Sequence, residues 1–402
     1  MPAIRKLAED GARAKLMRAS TPTVTWPNHT TLVTGVTPAK HGVVGNNYFD
    51  RVAGTNITLI SDPVFDKDQL VKVPTLYDLA KQKGLKTAAI RWPATRNAST
   101  LDWTIPDMKP TERVKKYSTP ALLTECEQAG ILMTDGFETQ HSGDKYAVPV
   151  FNYLLHTHRP NLALLHIINV DHIQHEKGPR SPEAYEAIKV ADQQVGEVWE
   201  ELQRDFPGKA TLFVVSDHGF SPVKRAIMPN VILRKAGLTA EDDENPRGMV
   251  GVVPQGGCVM IYVRDEAKKK EVLERVRKAF VDVPGVAKVI GTKQFKDYGV
   301  ADPKVDAHAP DMIIFADEGC TFGKTTAGDA MWKDKTEVSG SHGHDPNLPH
   351  LHAMFVACGA GIKKGAKLGT ISNTDVAPTV ARLLGLEIPN EDGRVLKAAL
   401  TE

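Results

Sequence analysis

Short apolar runs alternate along this chain with longer amphipathic segments, the pattern of a parallel sheet covered by helices on both faces. It predicts strands at Lys86–Arg91, Asn161–Ile168, Ala210–Ser216, Met312–Ala316 and Ala353–Ala357, and helices at Pro74–Gln82, Ser181–Phe206 and Thr374–Leu384. Met1 to Gly11 reads as an amphipathic helix stopped by its glycine. From about Gly251 to Gly299 the pattern changes. Cys258–Val263 reads as a strand, Asp265–Phe280 as a highly charged helix and Pro284–Ile290 as another strand. These form a small α+β lobe inserted before the sheet resumes near Pro310. The fold class is α/β, one domain over residues 1–402 that contains this lobe at about 251–299.

Composition narrows the classes of function. The 402 residues are 41% hydrophobic and 25% charged, enough for a large core. A net charge of +1 gives no basic field for a nucleic-acid backbone, so no stable nucleic-acid complex is expected. Cys126, Cys258, Cys320 and Cys358 lie far apart with no CxxC spacing, which excludes a zinc ribbon and leaves disulfides open. The longest strongly apolar stretch, Leu162 to Val170, is broken by His166 and is too short to span a bilayer. Residues 1–20 contain no secretory core region, and the sequence carries no signal of oligomeric state.

Four compact clusters carry the candidate chemistry. In Thr21-Pro-Thr-Val-Thr25-Trp26-Pro27-Asn28-His29 a hydroxyl stands at a helix mouth, with Thr25 read at the N-cap and a proline suited to the first turn. The unpaired N–H groups there favour an anion. Asp171 and His175 are four apart, so a helical turn puts both on one face. Asp217 and His218 follow a predicted strand, and His342 lies in a glycine-flanked loop. Carboxylate and imidazole without thiolate suit catalytic Zn²⁺, with Mn²⁺ an alternative. Each cluster has a bland reading: a surface Asp–His pair, an ordinary helix cap, a structural His29, a core Trp26. Four such clusters in one chain make independent bland readings improbable.

The chain resembles the alkaline phosphatase superfamily, in its nucleotide pyrophosphatase/phosphodiesterase (type I phosphodiesterase) branch. The similar stretches are Pro22 to His29, Thr34-Gly35, Pro38 to Gly42, Gly45-Asn46, Arg91-Trp92-Pro93, Asp171 to His175 with Gly178-Pro179, Ser216 to Gly219, and Gly340 to Gly343, in the family's order. The resemblance implies an alkaline-phosphatase-like three-layer α/β/α sandwich with a mainly parallel central sheet. It implies a nucleophilic Thr25 that forms a phospho-threonine, one zinc held by Asp171, His175 and His342, and a second held by Asp217, His218 and Thr25. Asn46 would hydrogen-bond a phosphate oxygen, and Trp26 could face a base or other leaving group. The substrate would be a small phosphodiester or nucleotide, and the location periplasmic or secreted.

The sequence departs from the family in places. The family's first core strand, ending in an Asp ligand of the second zinc, normally precedes a helix like Met1–Gly11. The chain therefore reads as lacking that strand and that ligand, since Asp10 lies within the helix. A weakened second zinc site is expected. Gln174 replaces a usual glycine, His344 is a spare donor and His172 a competitor of His175. Two further functions stay open: a phosphonate or phosphate monoester hydrolase of the same superfamily, and an inactive phosphate-binding homologue.

Overall fold

The computed structural model describes residues 1–60, 65–109, 111–131, 140–238 and 249–401. Its main layer is built from two sheets. One orders the strands Ala366–Ser372, Ala12–Arg18, Phe355–Gly359 and Thr211–Val215; the other orders Trp103–Ile105, Thr87–Ile90 and Leu162–Leu165. Thr87–Ile90 pairs parallel with both neighbours, and Ala12–Arg18 pairs parallel with Ala366–Ser372. Phe355–Gly359 runs antiparallel to both of its neighbours, so the layer is mixed there.

The two sheets lie in one layer. Leu162, Leu164, Phe213 and Val215 pack into one apolar cluster, while Ala163, Leu165 and Leu212 pack into another. Successive side chains of a strand point to opposite faces, so Leu162–Leu165 and Thr211–Val215 present matching faces to shared cores. Yet no ladder joins these two strands among the described residues. Of the two, only Leu162 is fully buried; the rest are half-buried.

Helices cover both faces. Ser181 caps Pro182–Asp205 by accepting from Ala184 N at 3.1 Å. From that helix, buried Asp192 accepts from Ala3 N and Ile4 N, at 3.1 and 2.8 Å. This satisfies the open N-terminus of the helix Pro2–Asp10. Ile4, Leu7 and Ala8 then pack on Val356 and Cys358. The predicted Thr374–Leu384 helix begins as a 3₁₀ turn, Asn373–Asp375, capped by Ser372, and continues as Val376–Leu384.

Three features differ from expectation. Ala12–Arg18, with its Arg and Lys side chains, was not predicted as a strand and sits inside the main sheet. Met312–Ala316 was expected in the main layer. It instead pairs with Cys258–Val263 and Val286–Gly291 in the four-stranded sheet of the lobe, whose core also takes Val272, Val276 and Phe280 of the helix Lys269–Phe280. A fully buried apolar run fits either sheet, so periodicity could not decide. A further three-stranded sheet, Gly319–Phe322, Ser221–Ile227 and Trp332–Ser341, was not foreseen. In its register Ser341 pairs with Ser221, which brings His342 beside His218. All four cysteines are buried free thiols.

Candidate metal centre

The loop before Thr25 is tied at several points. Asn28 accepts from Ser20 N at 2.7 Å and donates to Pro22 O and Val24 O at 2.9 and 2.8 Å. The helix runs Thr25–Thr34 with Val24 at the N-cap, so Thr25 is its first helical residue, one position later than the sequence suggested. Pro27 falls in the first turn, where a missing N–H costs little. Trp26 N donates to Asn46 Oδ1 at 2.9 Å. That bond places Asn46 beside the start of the Thr25 helix and leaves its amide N–H groups free to donate.

Five donors converge on this helix mouth. Asp171 and His175 come from the helix Asn169–Lys177, with His175 Nε2 3.6 Å from Asp171 Oδ1. His342 Nε2 lies 3.5 Å from the same oxygen. The rings of His218 and His342 stack at 3.8 Å, and His218 Nε2 stands 3.2 Å from Asp217 Oδ2. Ligand atoms of Asp171, His218 and His342 all lie within 4.8 Å of one another. The donors expected to serve two ions thus form one continuous cluster.

Each histidine is oriented the same way. Nδ1 of His175 donates to Gly340 O at 3.1 Å, of His218 to Gly219 O at 3.0 Å, and of His342 to Thr23 O at 3.0 Å. A backbone carbonyl on Nδ1 fixes the tautomer and turns the Nε2 lone pair inward, as metal-binding imidazoles require. Asp171 Oδ1 and His218 Nε2 are buried and make no hydrogen bond. Orphaned acceptors of this kind are costly unless a cation meets them, so the residues fit a divalent metal.

The electrostatics agree. Burial pushes the Asp171 carboxyl up, and the nearby Asp217 charge adds to this. Burial opposes charge on Asp217 too, but His218, then His29 and His166, hold its carboxyl below the usual range. Burial also works against the His218 cation, but Asp217 pushes that imidazole up to about 8. Burial keeps His342 well below its ordinary value, with His218 and His175 adding repulsion. With Asp171 pushed up and His342 pushed down by burial, a metal ion would supply positive charge that protons there supply poorly.

The remaining predicted residues take varied places. Trp26 is 1% exposed inside an apolar cluster with Val43, Val44 and Phe49, and it presents no open face. His172 is half-buried and pairs with Glu176 at 3.3 Å rather than with the cluster. His344 is fully buried and donates from Nε2 to Cys320 O at 2.8 Å, in the wall behind His342. Asp10 pairs with Lys6 and Lys364. Sequence reasoning missed Thr23, whose Oγ1 accepts from Gly343 N at 3.0 Å and donates to His344 O at 2.9 Å. It also missed buried Asp144, which accepts from Ile168 N and Asn169 N and pairs with Arg91 at 2.8 Å, fixing the start of the Asp171 helix. Neither residue carries a local motif that would have exposed it.

The family model of type I phosphodiesterase / nucleotide pyrophosphatase matches residues 1–345. An uncharacterized pyrophosphatase/phosphodiesterase of Schizosaccharomyces pombe is 25% identical over 98% of this chain and 74% of its own length. A venom phosphodiesterase of Crotalus durissus collilineatus is also 25% identical, over 98% of this chain but only 43% of its own length. The solved structure of murine ectonucleotide pyrophosphatase/phosphodiesterase 5 superposes with a TM-score of 0.75 at 20% identity, covering 100% of this chain and 94% of that one.

Proposed function

Because the chain belongs to the type I phosphodiesterase / nucleotide pyrophosphatase family, we propose that it is a metal-dependent hydrolase of small phosphodiesters or nucleotide pyrophosphates, with Thr25 as nucleophile. The observation that carries this reading is the convergence of five inward-turned donors, two of them with orphaned buried atoms, on the helix that begins at Thr25. A murine relative, solved as an inactive threonine-to-alanine form in complex with AMP, supports both a threonine nucleophile and a nucleotide substrate. The venom and ectoenzyme names of other relatives support a periplasmic or secreted location.

In this reading Asp171, His175 and His342 would hold one zinc, and Asp217, His218 and the Thr25 hydroxyl would hold the other. Bound metal would lower the pKa of the Thr25 hydroxyl and stabilise charge on the attacking and leaving oxygens. Thr25 Oγ1 would give up its proton and form a bond to phosphorus, the ester oxygen opposite would leave with the bond electrons and take up a proton as an alcohol or nucleotide, and the phospho-threonine formed would keep the substrate's second ester group. Water then cleaves that ester, restores Thr25 and releases the phosphate product. Asn46, anchored by Trp26 N, donates its amide N–H to a non-bridging oxygen as charge develops. A neutral donor there leaves room for a second ester group and so favours diesters.

The test is kcat/KM for an aryl phosphodiester against the matching monoester, with zinc supplied. A diester preference of ~100-fold, ~2.7 kcal/mol of transition-state discrimination, is expected. A monoester preference would move the assignment to the phosphatase or phosphonate side. Mass analysis of protein quenched during turnover of the diester should find the ester-bearing phosphoryl group on Thr25 and none on the Thr25→Ala variant. No turnover and no phospho-threonine would leave a phosphate-binding homologue.

A further inference from the structure

A turn from outside the main layer reaches two loops of the site. It joins the strands Val250–Pro254 and Cys258–Val263 of the four-stranded sheet and closes with Gln255 N donating to Cys258 O at 2.8 Å. Gly256 takes a φ of +73° there, a conformation that glycine adopts without steric cost. On one side the turn meets the His342 loop. Gly257 N donates to His342 O at 2.7 Å, and Gly343 passes so close to Gln255 O that a Cβ would stand 1.8 Å from it. On the other side it meets Asn46.

The Gln255 side chain is buried, and both ends of its amide hold the backbone around Asn46. Oε1 accepts from Asn46 N at 3.2 Å, and Nε2 donates to Asn47 O at 2.7 Å. Asn46 O accepts from Leu59 N and Ile60 N at 2.9 and 3.2 Å, and Asn46 Oδ1 accepts from Trp26 N at 2.9 Å. The backbone N, the backbone O and Oδ1 of Asn46 are therefore each anchored. Among the described residues only its amide Nδ2 has no partner, so these anchors set the direction in which it donates. One of them comes from a residue 209 positions away. A hydrogen-bond donor stabilises developing charge in proportion to how firmly it is held in place before the reaction.

We propose that Gln255 is a positioning residue for Asn46, fixing the aim of its amide at the phosphoryl oxygen. The proposal rests on the reading above, in which Asn46 donates to the substrate. The Gln255 side chain hydrogen-bonds Asn46 and Asn47 and no residue of the metal cluster. Its loss should therefore reach the chemistry through Asn46 and leave the zinc content unchanged.

The test is a double-mutant cycle of Gln255→Met and Asn46→Ala, with kcat and KM for an aryl phosphodiester measured per zinc-loaded chain. Methionine keeps the length of the side chain and removes both hydrogen bonds. Asn46→Ala should lower kcat by about 100-fold. Gln255→Met should lower kcat by about 10-fold and leave KM within about threefold, because the donor matters most as charge develops. On the Asn46→Ala background the same change should cost less than about twofold, since no amide remains to be aimed. A purely structural role gives equal losses on both backgrounds, and that result overturns the proposal, as does a wild-type kcat in Gln255→Met. A wild-type kcat in Asn46→Ala would overturn the role of Asn46 and the proposal with it. No turnover by the wild type would overturn the general reading on which both rest. If Gln255→Met does not fold, Gln255→Glu, which keeps the shape and an oxygen for Asn46 N, enters the same cycle under the same criterion.

Discussion

Thr23→Val isolates the clamp between the loop before Thr25 and the His342 loop. Thr23 is 0% exposed. Its backbone oxygen receives His342 Nδ1 and Gly343 N, both at 3.0 Å, and its hydroxyl bonds Gly343 N and His344 O. Valine keeps the shape and removes only the hydroxyl. Gly343 N retains the Thr23 carbonyl, but His344 O loses its only donor among the described residues. A buried polar group left unpaired costs about 1–3 kcal/mol, so a destabilisation of about 2 kcal/mol is expected, read from the urea midpoint at unchanged m-value. The same loop holds the His342 ring, so zinc affinity at the Asp171, His175 and His342 site should fall by about 10-fold or more. Zinc titration of the same protein reads this directly. A destabilisation under about 0.5 kcal/mol would refute the hydrogen-bond reasoning, because surface-like substitutions cost no more than that. Normal zinc affinity in a destabilised variant would show that the clamp supports the fold alone.

Other perturbations test other parts of the site. Gly343→Ala places a Cβ 1.8 Å from Gln255 O at a φ of +93°, so it should destabilise by at least about 3 kcal/mol and abolish zinc binding through His342, seen by melting and metal analysis. Burial holds buried His41 down to about 3, its Nδ1 accepting from Val43 N and its Nε2 donating to Thr31 Oγ1. Its folded pKa lies below the unfolded one, so stability is full above about pH 6.5 and falls by about 1.4 kcal/mol per unit as pH drops toward 3. His41→Gln should flatten that part of the stability–pH curve, and an unchanged slope would refute the assignment. Zinc at 100 times its Kd should add about 2.7 kcal/mol to unfolding stability, removable by chelation, and an unchanged melting temperature would argue against a native metal site.

Much of the site was legible because its clusters sit where an α/β chain must turn. Thr25 opens a helix, Asp171 and His175 are spaced on one helix face, and Asp217–His218 follow a strand. Those positions depend on local propensity and spacing, which a sequence carries. The approach of His342 to His218 depends on the pairing of Trp332–Ser341 with Ser221–Ile227, a contact across more than a hundred residues that no local pattern encodes. Ala12–Arg18 was missed for a related reason. Its short alternation of alanine with Arg and Lys resembles a solvated turn until Phe355–Gly359 and Ala366–Ser372 close around it. Trp26 shows the opposite limit: its neighbour Thr25 made it a substrate candidate, and packing against Val43, Val44 and Phe49 buries it.

The division of the main layer explains why the donors need one another. Leu162–Leu165 and Thr211–Val215 share cores on both faces but make no ladder with each other. Asp171 and His175 belong to the Leu162 side; Asp217 and His218 belong to the Thr211 side, and His342 joins that side through the Ser221 strand. Protein contacts across this line at the site run through the Asp171 helix: His175 Nδ1 on Gly340 O, the His175 ring against Phe220 and His342, and the approach of His342 to Asp171. Packing of half-buried strands alone is weak compared with a backbone ladder whose edges are otherwise left open. Ions bound at the donors would therefore act as cross-links, fastening the Asp171 helix and the His342 loop into one rigid active site. Catalysis and the integrity of the layer would then depend on the same coordination bonds, and chelation should loosen Leu162–Leu165 and Thr211–Val215 first, seen as early hydrogen exchange in those strands.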